Sequence, residues 1–254
     1  MKISYHITFF YIEERIQYLK LIIQECQKYF HSTDIFIHTN QHFDFNLELN
    51  KSYTNGNIKI IVHDLTNIHP YKLTWCCRPL MKKQVNEYDV FIYGEDDILI
   101  YVETLYYWFQ NYHSLIKKNY NLGFLRIEYN NPSIIVSTDL KTPFVEKDII
   151  VFKGKKFILN TKNPYTGFWI YDKKTFKAFT LSNYYTPQKM KGYEIRESSS
   201  IGLHGKQTDF FKGTLIPLNG LGSIDNQCFV HHMPNNYLEN KESKFGKIKI
   251  SDLI

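Results

Sequence analysis

The chain of 254 residues lacks a long apolar run, and it contains only four cysteines. Without such a run, no segment is predicted to span a membrane. Cys76 and Cys77 are adjacent, which makes a poor disulfide pair, and no Cys-x-x-Cys spacing suggests a zinc site. The apolar N-terminal stretch is interrupted by Tyr5 and His6, so we expect a first strand and not a signal peptide. These features favour a protein of a reducing compartment, the cytoplasm of a bacterium or of a virus-infected host cell.

The chain also lacks a dense block of either charge. Its net charge is only +6, and acidic and basic residues are mixed along the sequence. A protein face that binds nucleic acid usually carries clustered lysine and arginine, so no nucleic-acid partner is predicted. A mild positive charge remains compatible with a small anionic ligand.

The first half alternates between strand-like and helix-like segments. Strands are predicted at residues 2–11, 34–39, 59–63 and 89–100, and helices at residues 13–30, 71–87 and 101–118. Pro79 predicts a kink or break in the second helix. This order predicts an α/β fold with a mostly parallel, doubly wound (Rossmann-like) central sheet flanked by helices.

The second half is less regular. Strands are predicted at residues 122–129, 133–137 and 164–171, a hairpin at 150–160 around Lys153 and Gly154, and a helix at 172–181. Loops dominate from residue 182 to residue 235. No repeat or linker divides the sequence, so we predict a single domain, 1–254.

Three consecutive carboxylates, Glu95, Asp96 and Asp97, follow the apolar run Val90–Tyr93. Burying them without partners would be costly, and they would repel one another. They could begin a solvated loop, pair with basic side chains, or bind a divalent ion such as Mg²⁺ or Mn²⁺. The chain becomes apolar again directly after them, and ligands of parallel sheets bind beyond the carboxyl ends of the strands. Both facts favour a metal site.

A strand that ends in Glu-Asp-Asp after three earlier strands resembles the DxD-type signature of GT-A glycosyltransferases, and the Glu-Asp-Asp form is similar to that of some N-acetylglucosaminyltransferases. The resemblance covers the first half well and the second half loosely. It implies a GT-A-like fold with a nucleotide-sugar-binding half, residues 1–120, and an irregular acceptor-binding half, residues 121–254. It also implies transfer of a sugar from a nucleotide-diphosphate donor, a UDP- or GDP-sugar, to a hydroxyl of a glycan or another acceptor, with Mn²⁺ or Mg²⁺ as cofactor.

The resemblance assigns roles to residues at the carboxyl ends of the first, third and fourth strands. Asp97 would be the main metal ligand, and Glu95 or Asp96 would contact the ribose or donor sugar or reach the metal through water. Phe10 and Tyr11 would face the nucleotide. Asp64 would lie near the base, although a turn or capping role is an equal alternative.

Later residues complete the site that the resemblance implies. These enzymes often have a late histidine on the metal. Adjacent strand residues face opposite sides, so only one of His231 and His232 would face the site. His231 is favoured, because a one-residue extension of the strand fixes it best, and His232 is the alternative. An acceptor hydroxyl needs a base, for which Glu197 is favoured over Glu194 and Asp209. A surface or capping role is the alternative for these acids. Arg78 could contact the diphosphate, and Trp169 could stack on a sugar, although a core role is favoured for that ring.

Two other classes of function remain open from the sequence. A nucleotidyltransferase or sugar-nucleotide pyrophosphorylase would share the fold and the acidic site. Such enzymes usually carry a glycine-rich loop after the first strand, whereas this segment reads Phe-Phe-Tyr-Ile-Glu-Glu-Arg-Ile, residues 9–16. A non-catalytic carbohydrate-binding module, with structural acids, is the third hypothesis.

Overall fold

The structure is a computed structural model that describes residues 1–44, 52–131, 134–188, 190, 192–204 and 208–254. The strands, in chain order, are β1 Lys2–Phe9, β2 Ser32–Thr39, β3 Ile58–Val62, β4 Val90–Glu95, β5 Ile98–Leu99, β6 Asn121–Leu122, β7 Leu125–Asn131, β8 Ile134–Ser137, β9 Ile149–Phe152, β10 Lys155–Asn160, β11 Phe168–Asp172, β12 Thr214–Pro217, β13 Phe229–His232 and β14 Ile248–Lys249. The α-helices are α1 Ile16–Cys26, α2 Leu73–Cys76, α3 Arg78–Lys83, α4 Val102–Ile116, α5 Lys173–Leu181, α6 Ile195–Ile201 and α7 Asn236–Glu239.

The backbone forms two compact units. The first comprises Met1–Ile98 and Gly167–Gly202, and the second comprises Leu99–Thr166 and Leu203–Ile254. Compactness of the backbone does not show which ligand a segment contacts. The assignment of one domain with a donor half and an acceptor half therefore stays a prediction. None of the helices in the described residues is long and apolar enough to cross a membrane.

The first unit contains a five-stranded sheet in the order β11-β4-β1-β2-β3. The pairs β1–β4, β1–β2 and β2–β3 are parallel, and β11 is antiparallel to β4. Seven of the eight residues of β1 are buried, as expected for a strand paired on both sides and covered on both faces. The sequence prediction of a mixed α/β fold with a largely parallel sheet and flanking helices is confirmed.

Helix boundaries in the first unit follow local sequence signals. A 3-10 turn at Glu13–Arg15 precedes α1, whose buried side chains include Leu19, Ile22, Ile23 and Cys26, the face that the apolar period predicts. The predicted helix 71–87 is two short helices. Pro79 lies in the first turn of α3, where a missing N–H is tolerated.

The predicted fourth strand, residues 89–100, is two strands: β4 ends at the acidic triplet, as expected, and the apolar residues after the triplet form β5. Strand β4 ends at Glu95, which is opposite Thr8 in β1 and is the last register pair of these two strands. Asp96 and Asp97 form a turn, and β5 begins at Ile98. Beyond the end of the ladder, Asp96 and Asp97 both accept hydrogen bonds from Arg15.

The second unit contains the sheet β6-β12-β10-β9 and the strands β14, β8, β7 and β13, which pair in that order. The predicted hairpin is confirmed: β9 and β10 are antiparallel, and Lys153 and Gly154 both have positive φ, as a tight two-residue turn requires.

The second unit also contains a buried ion pair, in which the Arg126 guanidinium donates to both carboxylate oxygens of Asp139, at 3.0 and 2.6 Å.

Three histidines form a hydrogen-bonded chain along one face of the first unit's sheet. His6 Nδ1 is 2.9 Å from His38 Nε2, and His38 Nδ1 is 2.8 Å from His63 Nε2. The far nitrogen of His6 contacts Ser4 Oγ and Gln84 Oε1. Burial lowers the pKa of His6 to about 3, and burial also lowers the pKa values of His38 and His63.

The hydrogen-bonded row of His6, His38 and His63 predicts that the protein loses stability in mild acid. An unfolded histidine has a pKa near 6.5, so the unfolded state binds more protons below that pH. The stabilisation by neutral His6 is therefore present above about pH 6.5 and is lost as the pH falls, by about 2 kcal/mol between pH 7 and pH 5. Urea unfolding at the two pH values measures this loss. His6→Gln should reduce the pH difference by that amount, and exposed His113→Asn should not. An unchanged pH difference in His6→Gln would contradict the account.

Candidate functional site

A cleft of about 270 Å³ lies in the first unit at the carboxyl ends of β1 and β4. The chain runs from β1 to β2 and β3 on one side, and β4 lies on the other side of β1. The pair β1–β4 is therefore the topological switch point of the sheet, where ligands of this class of fold bind. Side chains from the end of β1, from the 3-10 turn before α1, from the end of β4 and from α6 line the cleft.

Arg15 joins two of the three carboxylates. Its Nε is 2.7 Å from Asp96 Oδ2, and its Nη2 is 2.8 Å from both Asp96 Oδ1 and Asp97 Oδ2. Asp96 and Asp97 are only 6% and 5% exposed, and Glu95 is 4% exposed. The acids are therefore not a solvated strand end. Of the three interpretations open from the sequence, pairing with a basic side chain is present in the structure.

Burial and the neighbouring charge of Asp97 oppose ionisation of Asp96. Burial, and then the charge of Asp97, raises the pKa of Asp96 to about 7, although the hydrogen bond and charge of Arg15 act in the opposite direction. The aspartates in turn raise the pKa of Arg15 against the effect of its own burial. The guanidinium is therefore the fixed positive charge of the cluster.

Glu95 is oriented by residues of α6. Ser200 Oγ donates to Glu95 Oε1 at 2.8 Å, and Arg196 Nε lies 3.6 Å from Oε2. Formal charges of Glu95, Asp96, Asp97, Arg15 and Arg196 sum to −1, from three negative and two positive groups.

Helix α6 brings Arg196 to the cleft and Ser200 to Glu95. Glu194 caps its first turn and forms a capping box with Glu197, whose Oε2 accepts the Glu194 N–H at 3.0 Å. The helix ends at Gly202, whose φ of 55° suits a residue without a side chain. The structure thus gives Glu197 and Glu194 capping contacts, and their catalytic role stays a prediction.

Arg78 is buried and bonds to main-chain oxygens. Its Nη1 donates to Tyr184 O and Tyr185 O at 2.8 and 2.7 Å, and Nη2 donates to Ser199 O at 3.0 Å. The guanidinium also lies over the Trp75 ring, at 4.1 Å from its centroid. These contacts fix the segments before and within α6. Arg78 is not among the residues that line the cleft, and a nucleotide contact by it stays a prediction.

Trp169 lies in the core of the first unit, 1% exposed. It stacks between Tyr93 and Tyr171 at centroid distances of 5.5 and 5.0 Å, and its indole N–H donates to Ser199 O at 3.2 Å. The structure therefore gives this ring the core role favoured from the sequence, and a sugar contact would require the core to open.

The three residues predicted to face the nucleotide or its base, Phe10, Tyr11 and Asp64, have different surroundings in the structure. Phe10 lines the cleft and is 40% exposed. Tyr11 packs on Phe9 and donates its N–H to Asn40 Oδ1 at 2.7 Å. Asp64 is exposed, and its Oδ1 accepts the Thr66 N–H at 2.8 Å. Hydrogen bonds from the side chain and then the main chain of Thr66 lower the pKa of Asp64. Contacts of Tyr11 and Asp64 with a nucleotide stay predictions.

The two late histidines belong to the second unit. His231 stacks on Tyr129 at 4.3 Å, and its Nε2 is 3.1 Å from Asn235 Oδ1. His232 Nδ1 is 2.5 Å from Glu128 Oε1. Burial lowers the pKa of His231, which keeps the ring neutral. Both rings therefore have protein partners, and a role of His231 or His232 on a metal stays a prediction.

The residues as arranged do not fit a divalent ion. Three of the four aspartate oxygens of Asp96 and Asp97 accept hydrogen bonds from Arg15. Across the part of the chain that the structure describes, no group of three or more His, Cys, Asp or Glu side chains could hold a metal ion. Metal binding by Asp97 stays a prediction, and no chemical step is derived through a metal.

Arg15, Ser200 and Tyr71 are site residues that sequence reasoning missed. Arg15 lies in the segment after the first strand, at the same sheet edge as the acidic triplet, and that position was a usable signal. Ser200 and Tyr71 carried no signal, because the contact of Ser200 with Glu95 depends on α6, and the place of Tyr71 in the cleft depends on the 3-10 turn Pro70–Lys72.

No protein-family model matches the chain, and no curated protein matches it significantly. Solved structures similar to it include S. aureus TarS 1–349 (TM-score 0.49, 12% identity, covering 96% of this chain and 67% of that chain). Others are S. aureus TarS 1–349 in complex with UDP-GlcNAc (0.46, 12%, 85% and 55%) and S. aureus TarS (0.48, 12%, 96% and 41%). This chain thus spans only about half the length of two of these three chains. At this identity and these TM-scores, the similarity carries no argument about activity.

The buried contacts of Arg78 predict a structural role. Arg78→Lys cannot reproduce three hydrogen bonds from a planar guanidinium, so we expect a loss of at least about 3 kcal/mol in the free energy of unfolding. Exposed Lys82→Gln on the same helix is the control and should change it by less than about 0.5 kcal/mol. Chemical denaturation measures both. Wild-type stability in Arg78→Lys would show that these contacts do not hold the segment before α6.

Proposed function

We propose that the protein is a glycosyltransferase that moves a sugar from a nucleotide-diphosphate donor to an acceptor hydroxyl. The observation that carries the proposal is the cleft at the β1–β4 switch point, in which buried carboxylates and two guanidinium groups lie beside half-exposed aromatic rings. Parallel sheets bind nucleotides at this edge, and the acidic strand end is the feature that resembles the GT-A signature.

The chemistry of the lining suits such a donor. Phe10 and Tyr71 are 40% and 49% exposed and offer ring faces to a base or sugar. Arg15 and Arg196 offer planar guanidinium groups, which match phosphate oxygens. Glu95, held by Ser200, is a fixed acceptor for sugar or ribose hydroxyls.

In the proposed reaction, the acceptor oxygen forms a bond to the anomeric carbon while the bond from that carbon to the diphosphate oxygen breaks. The electron pair of the broken bond goes to the diphosphate, whose charge the guanidinium groups stabilise. The acceptor proton goes to a carboxylate, for which Glu197, at the start of the helix that carries Arg196, remains our candidate and Glu194 the competitor.

Thermal unfolding with UDP, GDP, CMP and dTDP, and with UDP-GlcNAc, tests donor binding. One nucleoside diphosphate should stabilise the protein, by about 2.7 kcal/mol at a hundred times its dissociation constant. Transfer is then measured as release of that diphosphate from its sugar conjugate in the presence of candidate acceptors. Absence of stabilisation by every nucleotide would contradict the proposal and favour a non-catalytic module.

Tyr71 gives a test of the cleft itself. Tyr71→Ala removes a stacking face, so we expect the dissociation constant of the active nucleotide to rise about tenfold, in line with a base–aromatic contact of about 1–3 kcal/mol. Phe30→Ala is the matched control. Phe30 is 47% exposed, but it precedes β2 and so lies at the amino-terminal end of the strands, opposite the cleft. Titration calorimetry measures both. Equal affinity of Tyr71→Ala and wild type would place the nucleotide outside this cleft.

A further inference from the structure

We infer that the Arg15 guanidinium is the resident cation of the acidic cluster, and that the cleft binds its anionic ligand without a divalent metal ion. The part that concerns the nucleotide ligand rests on the proposed function. The part that concerns the metal rests only on the contacts of Arg15, Asp96 and Asp97.

The first step concerns which carboxylate oxygens of Asp96 and Asp97 already accept hydrogen bonds. A divalent ion needs carboxylate oxygens at about 2.0–2.6 Å. Arg15 already donates at 2.7–2.8 Å to both oxygens of Asp96 and to Asp97 Oδ2. A metal on these atoms would bring two positive centres together, so it must displace the guanidinium.

The second step is that the backbone holds Arg15 in this place. The residue ends the 3-10 turn that follows β1, and its N–H donates to Ile12 O at 3.0 Å. Its side chain is 27% exposed, so the guanidinium is largely enclosed by the cluster that it bridges. Two-point pairing with a carboxylate is the geometry in which arginine differs from lysine.

The third step concerns the edge of the guanidinium that the aspartates do not use. Arginine has five N–H donors, and those of Nε and Nη2 bind the aspartates. In the described residues, no hydrogen bond from Nη1 is found, and Arg15 lines the cleft. A phosphate oxygen in the cleft can accept from Nη1. One guanidinium would then bridge carboxylate and phosphate, which is the task that a divalent ion performs in the metal-dependent arrangement.

The charge of the cluster explains why removal of Arg15 should have two effects. Replacing Arg15 by a neutral residue removes one positive charge from the cluster and leaves three carboxyl groups with one guanidinium, that of Arg196. The variant Arg15→Gln should therefore repel a diphosphate more strongly, and it should expose adjacent carboxylates that attract a divalent ion.

Manganese binding without nucleotide is the direct test of the metal part. Electron paramagnetic resonance of free Mn²⁺ is measured during titration of the wild type, Arg15→Gln and the control Lys20→Gln, which removes a positive charge from the same segment of chain. We expect Arg15→Gln to bind Mn²⁺ at least tenfold more tightly than the other two. Equal Mn²⁺ affinity of the wild type and Arg15→Gln would overturn the inference.

The second part of the test measures nucleotide binding with and without a divalent ion. Stabilisation of the wild type by the active nucleoside diphosphate should be the same in EDTA and in Mn²⁺, and Arg15→Gln should lose at least tenfold in affinity in EDTA. Wild-type binding that requires Mn²⁺ would overturn the inference and leave the proposed function intact. If no nucleotide binds but only Arg15→Gln takes up Mn²⁺, the proposed function fails and the role of Arg15 stands.

If Arg15→Gln does not fold, the variant Arg15→Lys tests the same inference. Arg15→Lys keeps the charge but cannot contact both oxygens of Asp96 and Asp97 Oδ2 together. We expect it to bind Mn²⁺ more tightly than the wild type does, and equal affinity would again contradict the inference.

Discussion

The structure depends on one ion cluster, in which a single guanidinium holds two buried aspartates at the end of the central strand pair. Three adjacent carboxylates that are each about 5% exposed would destabilise the fold without compensation. Arg15 compensates two of them, and Ser200 and Arg196 contact the third. Several surrounding elements supply the partners of these buried groups.

Each of those elements serves the cluster. The 3-10 turn before α1 sets the distance between β1 and Arg15, and the turn after β4 directs Asp96 and Asp97 toward it. The serines of α6 allow the helix to approach the sheet: Ser199 Oγ is 3.1 Å from the Tyr93 hydroxyl, and Ser200 reaches Glu95. Arg78 fixes the chain around α6 through main-chain oxygens. A site built in this way is preorganised, because its charged groups hold one another before a ligand enters.

The sequence predicted what local patterns determine. The apolar period located α1, the Lys153-Gly154 sequence located the hairpin, and the run Val90–Tyr93 located β4 together with the acids at its end. It failed where distant residues meet. Arg15 and Asp96 are 81 positions apart, and no periodicity couples them. A core role for Trp169 was favoured and a capping role for Glu197 was an open alternative, whereas the main-chain partners of Arg78 depend on how α6 packs, which no local signal in the sequence encodes.

A crystal structure of the protein with its active nucleoside diphosphate, grown in EDTA, tests the central claim most directly. The account predicts a diphosphate in the cleft beside Nη1 of Arg15, with the contacts from Arg15 to Asp96 and Asp97 kept. A nucleotide bound elsewhere would contradict the site. Arg15 displaced from the aspartates, with a metal required to restore binding, would contradict its role as the resident cation.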